Sequence, residues 1–364
     1  MSSHNWHQPL IDWFTANCRT LPWRDEPTPY RVLVSEFMLQ QTQVATVIPY
    51  FNRFMAAFPT LDALADAGVD DVVKLWEGLG YYSRARHLHQ CAREIQRLGA
   101  FPDNPDELSI LPGIGGYTAA AIASIAFGKR VPVVDGNVLR IRARMTADDS
   151  IIDSDMARKR HYAELQSIMP EIDNPSFFNQ AMMELGALVC HPQKPDCVHC
   201  PVQNSCKAHE LGTELDYPRR KEKAPVPHYH VAVALIYDQE RFLILKRSDE
   251  QMLGGLWEFP GGKLEKGETP AQAAAREVRE ETALDITVIK EVTVVRHAYS
   301  HFKITMHAFA CRLVDNAQQI QTDRPFHWIR FNEKDNYAFP KANHKIFEAM
   351  QKSLKKTLKC SKKL

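Results

Sequence analysis

The chain has 364 residues and nowhere a run of about 18 uninterrupted apolar ones, so it offers no candidate membrane-spanning helix and no membrane partner is expected. Its start, MSSHNWHQPLIDWF, lacks a basic stretch leading into a long apolar one, which argues against a secretory leader. The expectation is a cytoplasmic protein in a reducing setting, where structural disulfides are disfavoured. Charge of one sign is not in excess either. Lys and Arg number 45 against 44 Asp and Glu, a net +1, which excludes a uniformly basic coat for nucleic acid but leaves room for a local basic groove. With 45% hydrophobic and 24% charged residues, the chain has the composition of a folded globular protein rather than a disordered one. There is no internal repeat, and strand signals are missing from the first 206 residues.

What is present divides into two parts, in keeping with a length of about two or three domains. Residues 1–214 read as a helical domain. Apolar residues recur at helical spacing in Tyr30–Gln41, Val44–Phe58, Val72–Trp76 and Arg86–Leu98, with breaks at Pro59, Gly78–Gly80 and Pro102–Pro105. Residues 215–227, containing YPRRKEKAPVP, are charged and Pro-rich without periodicity and read as a semi-rigid linker. Residues 228–350 then read as α+β. HVAVALIY and RFLILKRS form a hairpin, further strands fall at Ile286–Val295, Ile304–Leu313 and His327–Phe331, and helices fall at Pro270–Thr282 and near Asn343–Leu354. Residues 351–364 form a basic tail, with six Lys from Lys352 onward and no acid, and read as a solvated helix end.

Four motifs carry chemistry. Cys190, Cys197, Cys200 and Cys206 crowd four of the eight cysteines into seventeen residues, and soft thiolates at that spacing suit a metal. The spacing leaves zinc and an iron–sulfur cluster both open. Second, LPGIGGY (Leu111–Tyr117) opens a helix of small residues. Glycines such as Gly113 and Gly115 let backbone N–H groups approach a phosphate, although a plain tight turn between helices reads equally well. Asp135 follows in the apolar VPVVDGNV, either as chemistry or as the cap of the next helix. Third, Glu36 sits in VSEFMLQQT. Desolvated there, it would hold a proton near neutral pH; on the polar side of an amphipathic helix it would be an ordinary surface acid. Together Glu36 and Asp135 suit acid-assisted cleavage of an N-glycosidic bond, in which positive charge develops on the sugar. Fourth, Gly262, Glu268, Arg276, Glu277, Glu280 and Glu281 approach a Nudix box, with three carboxylates on one helical face as Mg²⁺ and a diphosphate require.

These segments together resemble the MutY-type adenine DNA glycosylases of the helix-hairpin-helix superfamily, whose members include endonuclease III. The resemblance rests on LPWR (Leu21–Arg24), SEFMLQQT (Ser35–Thr42), EGLGYYSRAR (Glu77–Arg86), LPGIGGYTA, VDGNVLR (Val134–Arg140), FNQAMMELGALVC (Phe178–Cys190), the cysteine cluster and HAYSH (His297–His301), and covers nearly the whole chain. It implies an all-α helix-hairpin-helix domain, with the hairpin near residues 108–128 and an Fe–S loop at 190–206, followed by a Nudix-like lesion-recognition domain. It implies a [4Fe–4S] cluster, a monomer, and double-stranded DNA with A opposite 8-oxoguanine as the partner. Glu36 would protonate adenine and Asp135 would stabilise the oxocarbenium ion, supported by Tyr117 and Asn137. Trp23, Arg24 and Gln180 would line the base pocket, and Gln41, Leu79 and Tyr81 would wedge into the duplex. Lyases of the superfamily carry a nucleophilic Lys where this chain has Tyr117, so hydrolysis without strand cleavage is implied. The family's Phe-Ser-His reader of 8-oxoguanine becomes Tyr299, Ser300 and His301, and Leu139 stands where some members have Lys. The Nudix box lacks only its terminal Gly, replaced by Ala283, so Mg²⁺-dependent hydrolysis of oxidised nucleoside triphosphates, with Glu277, Glu280 and Glu281 as ligands, is a second expected activity beside the alternative of a structural relic.

Overall fold

A computed structural model describes residues 5–222, 225–299 and 301–360, and among them no helix is long and apolar enough to cross a membrane. By contact the chain forms two units, Met1–Asp66 with His87–Lys223, and Ala67–Arg86 with Ala224–Leu364. The break therefore falls at the end of the segment read as a linker. Residues 214–219 are already tied to the first unit, where Arg144 donates to the carbonyls of Glu214 and Tyr217 and the Ile152 amide donates to that of Arg219. The second unit also takes a stretch from the middle of the helical half.

Helices run α1 (His7–Asn17), α2 (Pro29–Leu39), α3 (Val44–Ala57), α4 (Leu61–Ala65), α5 (Val69–Leu75), α6 (Ser83–Leu98), α7 (Pro105–Ile110), α8 (Gly116–Phe127), α9 (Gly136–Thr146), α10 (Asp155–Ile168), α11 (Pro175–Leu188) and α12 (Lys207–Leu211). Helix α2 starts on a good signal: the Thr28 hydroxyl accepts from the Arg31 N–H, with Pro29 at the first helical position. Its residues 32–38 are all buried, so it is a central helix with no wet face, and Glu36 has no polar side to occupy. Helix α8 is buried from Thr118 to Ser124. Its alanines let α2 and α11 approach closely, which is what a run of small residues contributes. Leu10, Phe14, Val138, Ile141, Phe178 and Leu185 form the first unit's main core between α1, α9 and α11.

The second unit is built on a seven-stranded mixed sheet: β1 (His228–Asp238), β2 (Arg241–Lys246), β3 (Trp257–Glu258), β4 (Gly261–Lys263), β5 (Ile286–Ala298), β6 (Lys303–Leu313) and β7 (Phe326–Arg330), with order β3-β2-β1-β6-β5, β4 on β1 and β7 on β2. The expected hairpin closes through Gln239 and Glu240, with Asp238 opposite Arg241. Strand β1 pairs in parallel with β6, Val233 opposite Ala308. Both its faces are covered, which is why HVAVALIY is apolar throughout rather than alternating. Val233 and Leu235 pack with Phe347 and Met350 of α14 (Lys341–Cys360), while Ala232, Ala234 and Ile236 pack with Ala273 and Val278 of α13 (Pro270–Thr282). Residues 361–364 of the basic tail lie outside the described residues.

Candidate active site

In the first unit a cavity of about 350 Å³, a size usual for a small-molecule site, is lined by Trp23, Arg24, Glu36, Tyr117, Asp135, Asn137 and Gln180. Seven sequence candidates from five separate segments thus converge. Glu36 is 5% exposed, and its Oε2 has no hydrogen-bond partner. Burial drives its pKa up to about 7, the neighbouring Tyr117 hydroxyl pulls the other way, and the Asp135 charge pushes it further up. Tyr117 is raised well above its usual value by the same burial and by the two carboxylates, and its hydroxyl contacts Met183 Sδ at 3.5 Å.

Asp135 satisfies both of its sequence readings. It caps α9, accepting from the Val138 N–H at 2.7 Å, and it lines the cavity. Burial raises its pKa, while the Val138 and Asn137 amides and the nearby Arg140 oppose the rise. Asn137 donates to Asp135 Oδ2 at 3.2 Å and accepts from Arg140 at 3.0 Å. The arrangement offers one carboxyl poised to give up or take a proton near neutral pH and a second held by fixed dipoles, which is what acid-assisted departure of a base and stabilisation of a sugar cation require.

The cavity wall depends on a residue the sequence reading missed. Glu184 of α11, its side chain 1% exposed, accepts from Arg19 at 2.7 and 2.8 Å and from Arg24 at 3.1 and 3.2 Å. Burial alone would raise its pKa, but the two guanidiniums and the Arg19 amide hold it down at about 2. Arg24 also donates to Gln180 Oε1 at 3.0 Å, so Arg24 orients the pocket amide. The available signal was a lone acid in the apolar run FNQAMMELGALV.

The hairpin glycines differ in role. Gly113 adopts φ +75°, and a Cβ there would lie 2.6 Å from His87 Cβ and 2.8 Å from the Phe37 ring, so packing as well as backbone freedom requires it. Gly115 caps α8 with open space around it, leaving room for a phosphate at the helix start. Of the proposed wedge residues, Gln41 is exposed in the left-handed region (φ 57°) and Tyr81 is half-buried at φ 51°. Leu79 is instead 6% exposed, its N–H bonded to the Trp76 carbonyl, and presents no free tip.

The four cysteines line one small cavity together with Arg144, His209 and Glu214. Arg144, another residue missed, is 2% exposed and donates to the carbonyls of His191, Pro192, Glu214 and Tyr217 and to Cys190 Sγ at 3.2 Å. Burial pushes the Cys197 thiol up to about 11 and the Cys200 thiol up to about 12, with the neighbouring thiols adding to both. Among the described residues the potential ligand atoms within 4.8 Å of one another belong to Cys197, His209 and Glu214, so the four thiols are spread more widely than that. A tetrahedral zinc site with Zn–S of about 2.3 Å needs S–S edges of about 3.8 Å.

In the second unit the carboxylates of the Nudix-like box face arginines. Arg276 pairs with Glu268 at 2.9 Å, Glu277 at 3.0 Å and Glu280 at 3.1 Å. Arg324 bonds both Glu281 and Glu258, and the second oxygen of Glu281 accepts from the Gly261 N–H at 2.9 Å. Glu281 nevertheless sits at about 7, because burial outweighs Arg324. Ala283 ends α13 in the left-handed region (φ 57°), so the helix-ending turn keeps its form without Gly. Tyr299 stacks on Phe302 at 4.6 Å against the unit's core rather than presenting a free face. His301 is exposed and meets the Tyr81 ring edge-on at 6.1 Å. Ser300 lies outside the described residues.

Fold and cavity together define a class, the helix-hairpin-helix repair glycosylases. Residues 34–166 match the HhH-GPD superfamily of base excision DNA repair proteins, and residues 231–349 match the NUDIX domain. The structure of a thermostable thymine-DNA glycosylase superimposes with a TM-score of 0.53 at 25% identity, over 57% of this chain and 97% of that one. Relatives named adenine DNA glycosylase include those of Rattus norvegicus (35% identical, over 97% of this chain and 79% of the relative), Homo sapiens (33%, 94% and 73%) and Buchnera aphidicola subsp. Acyrthosiphon pisum (31%, 97% and 100%). The chain belongs to the adenine DNA glycosylase family, enzymes of base excision repair.

Proposed function

We propose that the protein removes adenine paired with 8-oxoguanine from double-stranded DNA by hydrolysis, without cleaving the strand. The observation that carries this reading is Glu36: buried, unpartnered at Oε2, and protonated near neutral pH in a cavity shared with Asp135. Flipped into the cavity, adenine accepts the Glu36 proton at N7. The C1′–N9 bond breaks with its electron pair going to N9, and the cation left on the sugar faces Asp135. Glu36, now a carboxylate, takes a proton from the water that attacks C1′. Asn137 and Tyr117 hold the two carboxyls in place, and Trp23, Arg24 and Gln180 bound the base.

The lining supports hydrolysis without lyase action. Among the described residues around the cavity there is no lysine, and the hairpin position carries Tyr117, so no side-chain amine is at hand for a Schiff base with the sugar. Incubation of the protein with a duplex carrying A opposite 8-oxoguanine should release free adenine and give strand breaks only after alkali. Breaks without alkali would overturn the hydrolytic reading, and retained adenine would overturn the whole assignment.

Cys190, Cys197, Cys200 and Cys206, which line one small cavity, would hold a [4Fe–4S] cluster. When bound, the cluster supplies order to a loop with little core of its own. Four irons and four sulfides per chain are expected, with Cys200→Ser lowering soluble yield and DNA binding together; one zinc and no visible absorption would reverse the assignment.

The Nudix-like box reads as a structural element. Glu277, Glu280 and Glu281 each give an oxygen to Arg276, Arg324 or the Gly261 amide, contacts that a Mg²⁺ on this face would have to displace or share.

A further inference from the structure

Residues 67–86 lie in the helical half of the sequence, yet they pack with the second unit. The segment comprises α5, the turn Glu77–Tyr82 and the start of α6. The turn is internally rigid. Gly78 and Gly80 take φ of 94° and 81° and Tyr81 one of 51°, the Trp76 indole N–H donates to the Gly80 carbonyl, and the Gly78 N–H donates to the Tyr82 hydroxyl at 2.9 Å. Arg84 donates to the Gly80 carbonyl at 2.9 Å and lies over the Trp76 and Tyr81 rings.

Polar tethers fix this turn to the rest of the second unit. Glu77, its side chain 15% exposed, accepts through Oε1 from the Phe339 N–H at 2.8 Å and faces His344 Nε2 at 2.9 Å; through Oε2 it accepts from Lys74 at 2.6 Å. Lys74 in turn donates to the Tyr337 carbonyl at 2.7 Å. Towards the two ends of the segment, Lys246 pairs with Asp70 at 2.6 Å, and Arg86 bonds the Asp249 and Gly254 carbonyls. Gly255 makes room for that arginine, since a Cβ there would lie 2.8 Å from Arg86 Nη1. Glu77 is a largely buried acid among these tethers, it joins residues 262 or more positions apart, and it stands four residues before the Tyr81 that meets His301.

We propose that Glu77 is a positioning residue for lesion recognition: by holding the Tyr81 turn against the second unit, it makes Tyr81 and His301 one preformed surface for the base opposite the target adenine. This rests on the reading that His301 and Tyr81 contact that base and its neighbours. Glu77 is not among the residues that line the cavity. Its effect falls on discrimination, because a loose turn contacts 8-oxoguanine and guanine equally poorly.

The test measures single-turnover excision of adenine opposite 8-oxoguanine and opposite guanine, with the full-length protein. Glu77→Ala is expected to lower the preference for 8-oxoguanine by about tenfold, as loss of a buried hydrogen-bond acceptor commonly does, while the guanine substrate changes by less than about threefold. Glu77→Gln keeps an oxygen for the Phe339 N–H and His344 and should restore most of the preference, a rescue that general loss of stability would not show. Should Glu77→Ala fail to fold, His344→Ala removes one partner at a half-exposed position and should lower the preference in the same direction. An unchanged preference, or equal losses on both substrates, overturns the proposal. His301→Ala is the control: if it too leaves the preference intact, the reading of His301 as a lesion contact has failed, whereas erosion by His301→Ala but not by Glu77→Ala defeats the Glu77 role alone.

Discussion

The two units surround their glutamates differently. In the first, Glu36 is enclosed with an orphan oxygen and, among the described residues, no ion pair, so burial raises its pKa to about 7. In the second, Glu277, Glu280 and Glu281 stand on one helical face, each paired with Arg276 or Arg324, although burial still lifts Glu281 to about 7. An unpartnered buried carboxyl is expensive to retain, and its presence in a cavity marks chemistry. A paired one costs far less and serves packing equally well. A motif match therefore carries less weight than how its charges are neutralised.

The sharpest way to break this contrast is a matched pair of variants. Glu36→Gln should lower adenine excision by at least about 10²–10⁴-fold, the usual contribution of a general acid, while duplex affinity stays close to wild type. Glu281→Gln should leave excision unchanged, and neither protein should release pyrophosphate from 8-oxo-dGTP with Mg²⁺. Pyrophosphate from the wild type that Glu281→Gln abolishes would mean that the arginines yield to metal and the contrast is false.

Next in size is Glu184, a paired glutamate inside the first unit. Glu184→Gln leaves the largely buried Arg24 and the half-buried Arg19 without their counter-charge, and a loss of about 3 kcal/mol in unfolding free energy is expected in denaturant titration. A loss below about 1 kcal/mol would show that solvent already satisfies the two arginines.

The same pair sharpens the contrast through pH. Glu36 rises from 4.5 to about 7 on folding, so between those values the folded chain holds a proton that the unfolded chain has released. Stability is fully present below the lower value and falls as pH rises to the upper one, by roughly 3 kcal/mol in all. Glu184 falls from 4.5 to about 2, so its contribution is present above 4.5 and is lost as pH drops towards 2. The melting temperature of Glu36→Gln should thus exceed that of wild type by a margin that widens from pH 4.5 to 7 and then levels off. A margin independent of pH would place the wild-type carboxylate in a wet site.

The smallest effect belongs to the box itself. Ala283→Gly relieves a left-handed Ala at the end of α13 and should add about 1 kcal/mol to stability without altering excision. A destabilisation would mean that the methyl group packs usefully enough to offset the backbone strain.

Local signals carried much of the molecule. Helix α13 begins and ends where the sequence placed it, at Pro270 and Thr282, because Thr269 and Gln272 form a capping box and the helical period is clear. The β1–β2 hairpin and the helix starting at Val44 were legible for the same reason: each depends on neighbours within a few residues. The cysteine spacing and the hairpin glycines were likewise local patterns. None of these needed knowledge of what the segment packs against.

What only the tertiary structure decided lies where partners are far apart in sequence. Whether Glu36 was a surface acid or a proton holder turned on α2 being covered all round by helices from elsewhere in the chain. The parallel pairing of β1 with β6 joins residues about 75 positions apart, and nothing in either strand names the other. Leu79 reads as an exposed wedge in its motif and is buried in the fold, and Glu184 and Arg144 look unremarkable until the groups they bond are brought to them. Residues 67–86 read as part of the helical half but pack with the second unit. The physical reason is common to all of these. Periodicity, caps and turns are set by interactions within a few residues, whereas desolvation and charge pairing depend on which distant segments share a volume, and only the folded chain settles that.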